Sequence, residues 1–117
     1  MSGLAEVIRG LSSRDGVEAA VLLSADGLAI EHAAAEPVEA ETVAALAATL
    51  AHHAARLGEG AGRGELGTAV LEFSEGSVIL SRIGANNWLA LLVRADMDFG
   101  SILYDLRQHR SALGALL

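Results

Sequence analysis

Residues 66–94, LGTAVLEFSEGSVILSRIGANNWLALLVR, contain three short apolar runs, each about the length of a β-strand. Glu75-Gly76 separates the first run from the second, and Asn86-Asn87 separates the second from the third. Both pairs suit tight turns. Turns this short join antiparallel neighbours, because parallel strands need a long crossover connection. The stretch therefore predicts a three-stranded antiparallel meander.

Two further strands are predicted upstream, in VEAAVLLS at 17–24 and LAIEHAA at 28–34. Asp26-Gly27 lies between them, and Asp-Gly between two apolar runs is a strong hairpin signal. Runs such as AAVLL and LALLV are apolar throughout and do not alternate. Such strands are typical of a sheet that is covered on both faces.

Three segments have the apolar spacing of an amphipathic helix. The longest covers residues 39–57, and the glycine-rich run GEGAGRG that begins at Gly58 predicts its end and a flexible loop. Ser2 is the predicted N-cap of the first helix, and Asp96 or Asp98 caps the last. The apolar positions of the first and last helices are Leu4, Val7, Ile8, Leu11, Phe99, Ile102, Leu103 and Leu106.

The predicted fold class is therefore α+β, with the element order α-β-β-α-β-β-β-α. Residues 1–117 form a single predicted domain, in which helices cover both faces of a five-stranded antiparallel sheet. No internal repeat and no linker interrupts the chain.

Composition excludes several classes of function. The net charge is −7, all eight basic residues are arginine, and the chain has no basic run, so neither nucleic acid nor an anionic membrane surface is an expected partner. Cysteine is absent, which excludes disulfides and thiolate chemistry. We expect a cytoplasmic protein, because no signal peptide and no membrane-length apolar run is visible. The lysine-free, Ala/Gly/Arg-rich composition is typical of a GC-rich bacterial genome.

No catalytic or cofactor site is predicted. The glycine run follows a helix rather than opening one and has no lysine, so it is not a phosphate-binding loop. His52 and His53 are adjacent on a helix and point about 100° apart, so they cannot share a metal. No Gly-x-Ser-x-Gly sequence is present. Arg63, in the glycine-rich loop, is only a weak candidate for an arginine finger.

Three faces can be drawn around the helix at 39–57, at about 100° per residue. The leucine face contains Val43, Leu46, Ala47, Leu50, Ala54 and Leu57. The alanine face contains Ala44, Ala48, Ala51 and Ala55. The polar face contains Glu41, Ala45, Thr49, His52 and Arg56. One apolar face is enough to dock a helix on a sheet, and the leucine face is the predicted core contact.

The alanine face needs an explanation of its own. Small residues let two helix backbones approach closely, so this face predicts an antiparallel helix pair across a two-fold axis. Two alternatives stay open: alanine is a good helix former in an alanine-rich chain, or the face packs against the chain's own loops. The polar face is either an ordinary solvated surface or, if the alanine faces pair, part of a composite surface for a partner.

The order of elements resembles the roadblock (dynein light-chain) superfamily, particularly its bacterial MglB-like members. Asp26-Gly27 matches the first hairpin of that family, and Phe99-Gly100 resembles its junction into the last helix. The resemblance covers nearly the whole chain. It is carried by GVEAAVLLSADGLAI at 16–30, the Ala-rich helix at 39–57, LGTAVLEFSEGSVILSRIG at 66–84 and NWLALLVRADMDFGSILYDLR at 87–107.

The resemblance implies a roadblock-type domain with profilin-like layering that forms a homodimer through its second helix and third strand. It also implies a non-catalytic regulator of a small Ras-like GTPase, which contacts the GTPase around the second helices and inserts no arginine finger. The expected dimer interface is Ala44, Ala48, Ala51, Ala55, Thr68, Val70 and Glu72. The expected partner surface is Glu41, Ala45, Thr49, His52 and Arg56. A dimeric scaffold without effect on hydrolysis and a small-ligand sensor are the alternatives.

Overall fold

The computed structural model describes residues 3–117 and has the predicted order of elements. Ser2, the predicted cap of the first helix, lies outside the described residues. The elements are α1 (Leu4–Ser12), β1 (Val17–Ser24), β2 (Ala29–Ala34), α2 (Ala40–Gly60), β3 (Thr68–Phe73), β4 (Gly76–Ile83), β5 (Asn87–Val93) and α3 (Phe99–Leu116).

The five strands form one antiparallel sheet in the order β2-β1-β5-β4-β3. The hairpin from the first half of the chain and the meander from the second half therefore meet at β1 and β5, where Val21 lies opposite Ala90. These two strands occupy the centre and are buried over most of their length, as their continuous apolar sequences predict. The sheet has two edges, β2 and β3.

Helices cover both faces of the sheet, which confirms the predicted layering. On one face, α1 and α3 pack on β1, β4 and β5 through a large aliphatic core; its fully buried members include Ile8, Leu22, Ile79, Leu91, Ile102 and Leu106. On the other face, α2 packs on Val21, Leu23, Leu80 and Trp88. Complete burial of a large apolar side chain stabilises a fold by about 1.5–3 kcal/mol, so both layers contribute to stability.

The structure shows which glycine ends α2 and which aspartate caps the start of α3. Gly58 was the predicted end of α2, but the helix continues to Gly60, so that prediction is wrong by one turn. The glycine that ends it is Gly62, which adopts a left-handed conformation at φ +67° directly after the C-cap. At the start of α3, Asp98 is the cap, because its side chain accepts a hydrogen bond of 3.0 Å from the Gly100 N–H.

Candidate interaction site around the second helix

The face of α2 that docks on the sheet is made of alanine. Ala40, Ala44, Ala47 and Ala51 are buried against β1 and β5, and Ala44 is completely inaccessible to solvent. The leucine face, predicted to be the core contact, is largely exposed instead. Leu46 is 65% exposed and Leu57 is 73% exposed. The prediction is therefore wrong for the leucines, whereas Ala47 of the same face is buried and Val43 packs against the core.

Packing volume explains this orientation. The sheet presents large side chains to α2, among them Leu23, Leu80 and Trp88. Protein interiors are close-packed, so large side chains from one layer are best filled in by small ones from the other. Alanines let the α2 backbone sit close to the sheet, and the leucines are left pointing sideways along it.

The predicted dimer residues of the alanine face do not form an exposed surface. Ala44 and Ala51 lie in the core, so they offer no area to a second chain. Ala48 and Ala55 are half-buried beside the chain's own turns. A Cβ atom added at Gly27, in the β1–β2 turn, would lie 3.5 Å from the Ala48 Cβ atom. The alanine face thus packs within its own chain, with Ala44 and Ala51 on the sheet and Ala48 and Ala55 beside the turns.

Strand β3 was expected to contribute Thr68, Val70 and Glu72 to the same interface. In the register with β4 these residues lie opposite Ser81, Ile79 and Ser77, which belong to the face that carries α3. The residues of β3 that share the α2 face are the alternate set, Ala69, Leu71 and Phe73. Thr68 is also engaged within the chain, because the Arg110 guanidinium of α3 donates to its Oγ1 atom at 3.1 Å.

An apolar groove runs between α2 and the β3 edge. Its cavity of about 250 Å³ is lined by Val43, Leu46, Ala47, Leu50, Leu71, Phe73, Val78 and Leu80. We call it the α2–β3 groove. Phe73, at its outer end, is 61% exposed. A continuous exposed apolar surface of this kind is typical of a site of interaction with another molecule. The sequence analysis did not identify Phe73 as part of this surface. Alternate residues of a strand share a face, and this rule would have grouped Phe73 with Leu71.

The polar face of α2 lies where the helical periodicity placed it. Glu41, Ala45, Thr49, His52 and Arg56 are all exposed, on the side of α2 away from the sheet. The Thr49 hydroxyl donates to the Ala45 carbonyl at 3.0 Å and leaves the surface otherwise open. This face is therefore accessible to a partner.

Three observations bear on other kinds of site or function within residues 3–117. A cleft of about 580 Å³ between β2 and the start of α2 carries three glutamates, Glu31, Glu39 and Glu41, and is open along exposed side chains. The described residues contain no group of three or more His, Asp or Glu side chains that could hold a metal ion. Nor does any helix between residues 3 and 117 have the length and apolar character that crossing a membrane requires.

Comparison with known proteins identifies similar sequences and folds. The family model of the Roadblock/LC7 domain matches residues 4–93. A Roadblock/LC7 domain from Streptomyces avermitilis is 27% identical, with a TM-score of 0.87 over 96% of this chain and 95% of that chain. A search of curated proteins gave no match.

Two MglB structures share the fold at lower identity. Myxococcus xanthus MglB is 16% identical, with a TM-score of 0.89 over 97% of this chain and 93% of that one. An MglB described as having a tetrameric arrangement is 20% identical, with a TM-score of 0.88 over 97% of this chain and 86% of that one.

Proposed function

This chain belongs to the Roadblock/LC7 family, and on that basis we propose that it is a homodimeric, non-catalytic regulator of a small Ras-like GTPase. Residues 1–117 act as one roadblock-type domain in this proposal. The last helix lies beyond the matched residues, but it completes the core through Ile102, Leu106 and Leu113. The protein acts in the cytoplasm and supplies no catalytic residue of its own.

The observation that carries the proposal is the α2–β3 groove. Strand β3 is an edge of the sheet, so its outer N–H and C=O groups are free to pair with another strand. A two-fold axis beside β3 would join two sheets and bring two such grooves face to face. Leu46, Leu50 and Phe73 would then be buried between the two copies.

The revised interface replaces the alanine face by the leucine face. Val43, Leu46, Leu50 and Leu57 supply the helix contact, and Leu71 and Phe73 supply the strand contact. The tetrameric arrangement described for one similar MglB supports self-association of this fold. The proposed dimer thus forms through α2 and β3, the two elements expected from the sequence, but through different residues of each.

Dimerisation through the groove would leave the polar face of each copy exposed, on the outer side of the helix pair. On α2 the polar face lies about 160° around the helix from the leucine face, so it stays exposed when the groove is covered. Glu41, Ala45, Thr49, His52 and Arg56 would then form one exposed partner surface on each copy. We propose that the GTPase binds there and that its own catalytic residues are repositioned by the contact.

The test is single-turnover GTP hydrolysis by a Ras-like GTPase encoded in a neighbouring gene, with and without this protein. Faster hydrolysis is expected with the wild-type chain. Thr49→Arg, which places a bulky charge on the polar face, should abolish the acceleration and leave the dimer intact. The matched control is Ser111→Arg on the exposed side of α3, which should stimulate as the wild type does.

The outcomes separate the candidate functions. Binding of the GTPase without acceleration would replace the regulator by a dimeric scaffold. Absence of binding would reject the proposal as a whole. Equal loss of acceleration in both arginine variants would reject the polar face as the contact surface.

A further inference from the structure

Arg82 is held in a fixed position at the end of the sheet. Its guanidinium carbon lies 4.6 Å from the ring centroid of Trp88, its cross-strand neighbour on β5. The Arg82 Nε atom donates to the Leu66 carbonyl at 2.9 Å, and Nη1 donates to the Ala85 carbonyl at 3.3 Å. The ring and the two carbonyls together fix the plane of the guanidinium.

The charge of Arg82 is not neutralised within residues 3–117. Within the described residues only Arg14 and Arg94 form ion pairs, and Arg82, like the other arginines, has no carboxylate oxygen within 4.0 Å of its nitrogens. An arginine has five N–H donors, and the two hydrogen bonds to carbonyls leave three without a described partner. The chain has 15 acidic residues and eight arginines, so acidic partners are not scarce. Arg82 is thus half-buried, immobilised and without an anion.

Arg82 lines a cavity of about 200 Å³. It lies between α2 and the turns that join β1 to β2 and β4 to β5. Asn86 and His52 supply the other polar groups of its wall, and Ala48 and Ala55 leave it open because they are small. Among residues 3–117, no acidic side chain lines it. Three other cavities do carry glutamates: Glu18, Glu31, Glu36, Glu39, Glu41 and Glu75.

The size of this cavity indicates what it can hold. Sites for small molecules usually have volumes of about 300–1,000 Å³, so this cavity is too small for most of them. It is large enough for one side chain. A carboxylate can accept two parallel hydrogen bonds from a guanidinium, which matches the donors that remain on Arg82.

We propose that this cavity receives an aspartate or glutamate side chain of the protein partner, whose carboxylate pairs with Arg82. His52 belongs both to the cavity wall and to the polar face, so the cavity is continuous with the proposed partner surface. The inference rests on the proposed function, in which the partner is the Ras-like GTPase. The proposal also explains why Ala48 and Ala55, the half-buried part of the alanine face, are small. Larger residues at either position would fill the cavity.

The test measures the affinity of the GTPase, loaded with a non-hydrolysable GTP analogue, for the wild-type chain and for variants by titration calorimetry. Arg82→Gln should weaken binding about 10- to 100-fold, the usual effect of losing a charged hydrogen-bonded pair. It should also flatten the dependence of affinity on salt. Arg107→Gln, an exposed arginine on α3, is the matched control and should bind as the wild type does.

A second measurement separates a direct contact from a structural role of Arg82. Exposed acidic residues of the GTPase are replaced singly by their amides and measured against wild type and Arg82→Gln. One of them should weaken binding to the wild type and have no effect in the Arg82→Gln background. The thermal midpoint and the oligomeric mass of Arg82→Gln check that the chain is folded.

Three results would overturn the inference. Wild-type affinity of Arg82→Gln, or failure of every acidic residue of the GTPase to couple with Arg82, would remove the carboxylate contact. Neither of these results touches the proposed function, which stands as long as the wild-type chain binds and activates the GTPase. If the wild-type chain does not bind the GTPase at all, the proposed function fails and this inference fails with it.

Discussion

Replacing Leu46 by alanine should dissociate the proposed dimer. Leu46 lines the α2–β3 groove and is 65% exposed in the isolated chain, so the substitution removes little from the core. The side chain would be buried only when a second copy covers the groove. Its loss should therefore weaken association much more than folding.

The magnitude follows from the exposed fraction. Truncating a fully buried leucine to alanine removes about 2.4 kcal/mol of hydrophobic stabilisation, at about 0.8 kcal/mol per methylene group. With 65% of Leu46 exposed beforehand, about 1.5 kcal/mol per copy depends on the partner. A symmetric dimer contains two copies, so association should lose about 3 kcal/mol, which is about a 100-fold rise in the dissociation constant.

Sedimentation equilibrium over a range of protein concentrations measures this constant directly. Leu28→Ala is the matched control, because Leu28 is 67% exposed but lies in the β1–β2 turn, away from the groove. We expect the control to associate as the wild type does. If Leu46→Ala and Leu28→Ala have the same dissociation constant, or if the wild-type chain remains monomeric, the groove is not the dimer interface.

Two further predictions concern stability and are checked by urea denaturation. Gly27 and Gly62 both have positive φ angles, but a Cβ atom at Gly62 would meet open space, while one at Gly27 would press on the α2 backbone at 3.2 Å. Gly27→Ala should therefore lower the free energy of unfolding more than Gly62→Ala, which carries only the backbone cost of about 1 kcal/mol. Equal losses of stability in the two variants would refute the close packing of α2 on the hairpin. Arg110→Ala should cost about 1–3 kcal/mol, because the fully buried Ser81 hydroxyl loses the 2.9 Å hydrogen bond that Arg110 donates to it. Arg107→Ala, on the exposed side of the same helix, should change stability little, and a similar loss in both variants would speak against the buried hydrogen bond.

Local signals were sufficient to predict the fold. Asp26-Gly27, Glu75-Gly76 and Asn86-Asn87 mark the three turns that join neighbouring strands, and the structure has a turn at each. The continuous apolar runs of β1 and β5 predicted two-sided burial, and both strands are central. The family resemblance is confirmed by the match over residues 4–93.

The orientation of α2 could not be predicted in the same way. Helical periodicity shows which residues share a face, but α2 has two apolar faces, and periodicity does not say which one meets the sheet. The usual preference for large residues in the core favoured Leu46 and Leu50. That preference fails here because Leu80 and Trp88, on the sheet, already fill the space that leucines would need.

The candidate site was predicted by element but not by residue. The second helix and third strand do carry the exposed apolar surface. On the strand, Thr68 and Val70 lie on the wrong side of the sheet for α2, since alternate residues face opposite ways. The role of Arg82 could not be predicted from the sequence, because its cavity is formed by turns that come together from distant parts of the chain.

The pairing of β1 with β5 also determines when this chain can fold. Val17 on β1 lies opposite Val93 on β5, so the central ladder joins positions near the two ends of the sheet-forming sequence. Each hairpin can form early from local contacts, but the core between them requires a long loop to close, which slows folding. During synthesis β1 leaves the ribosome long before its partner does. The β1 strand then lacks β5 as a partner until residues 87–93 have also left the ribosome, and the apolar surface exposed in the meantime favours aggregation.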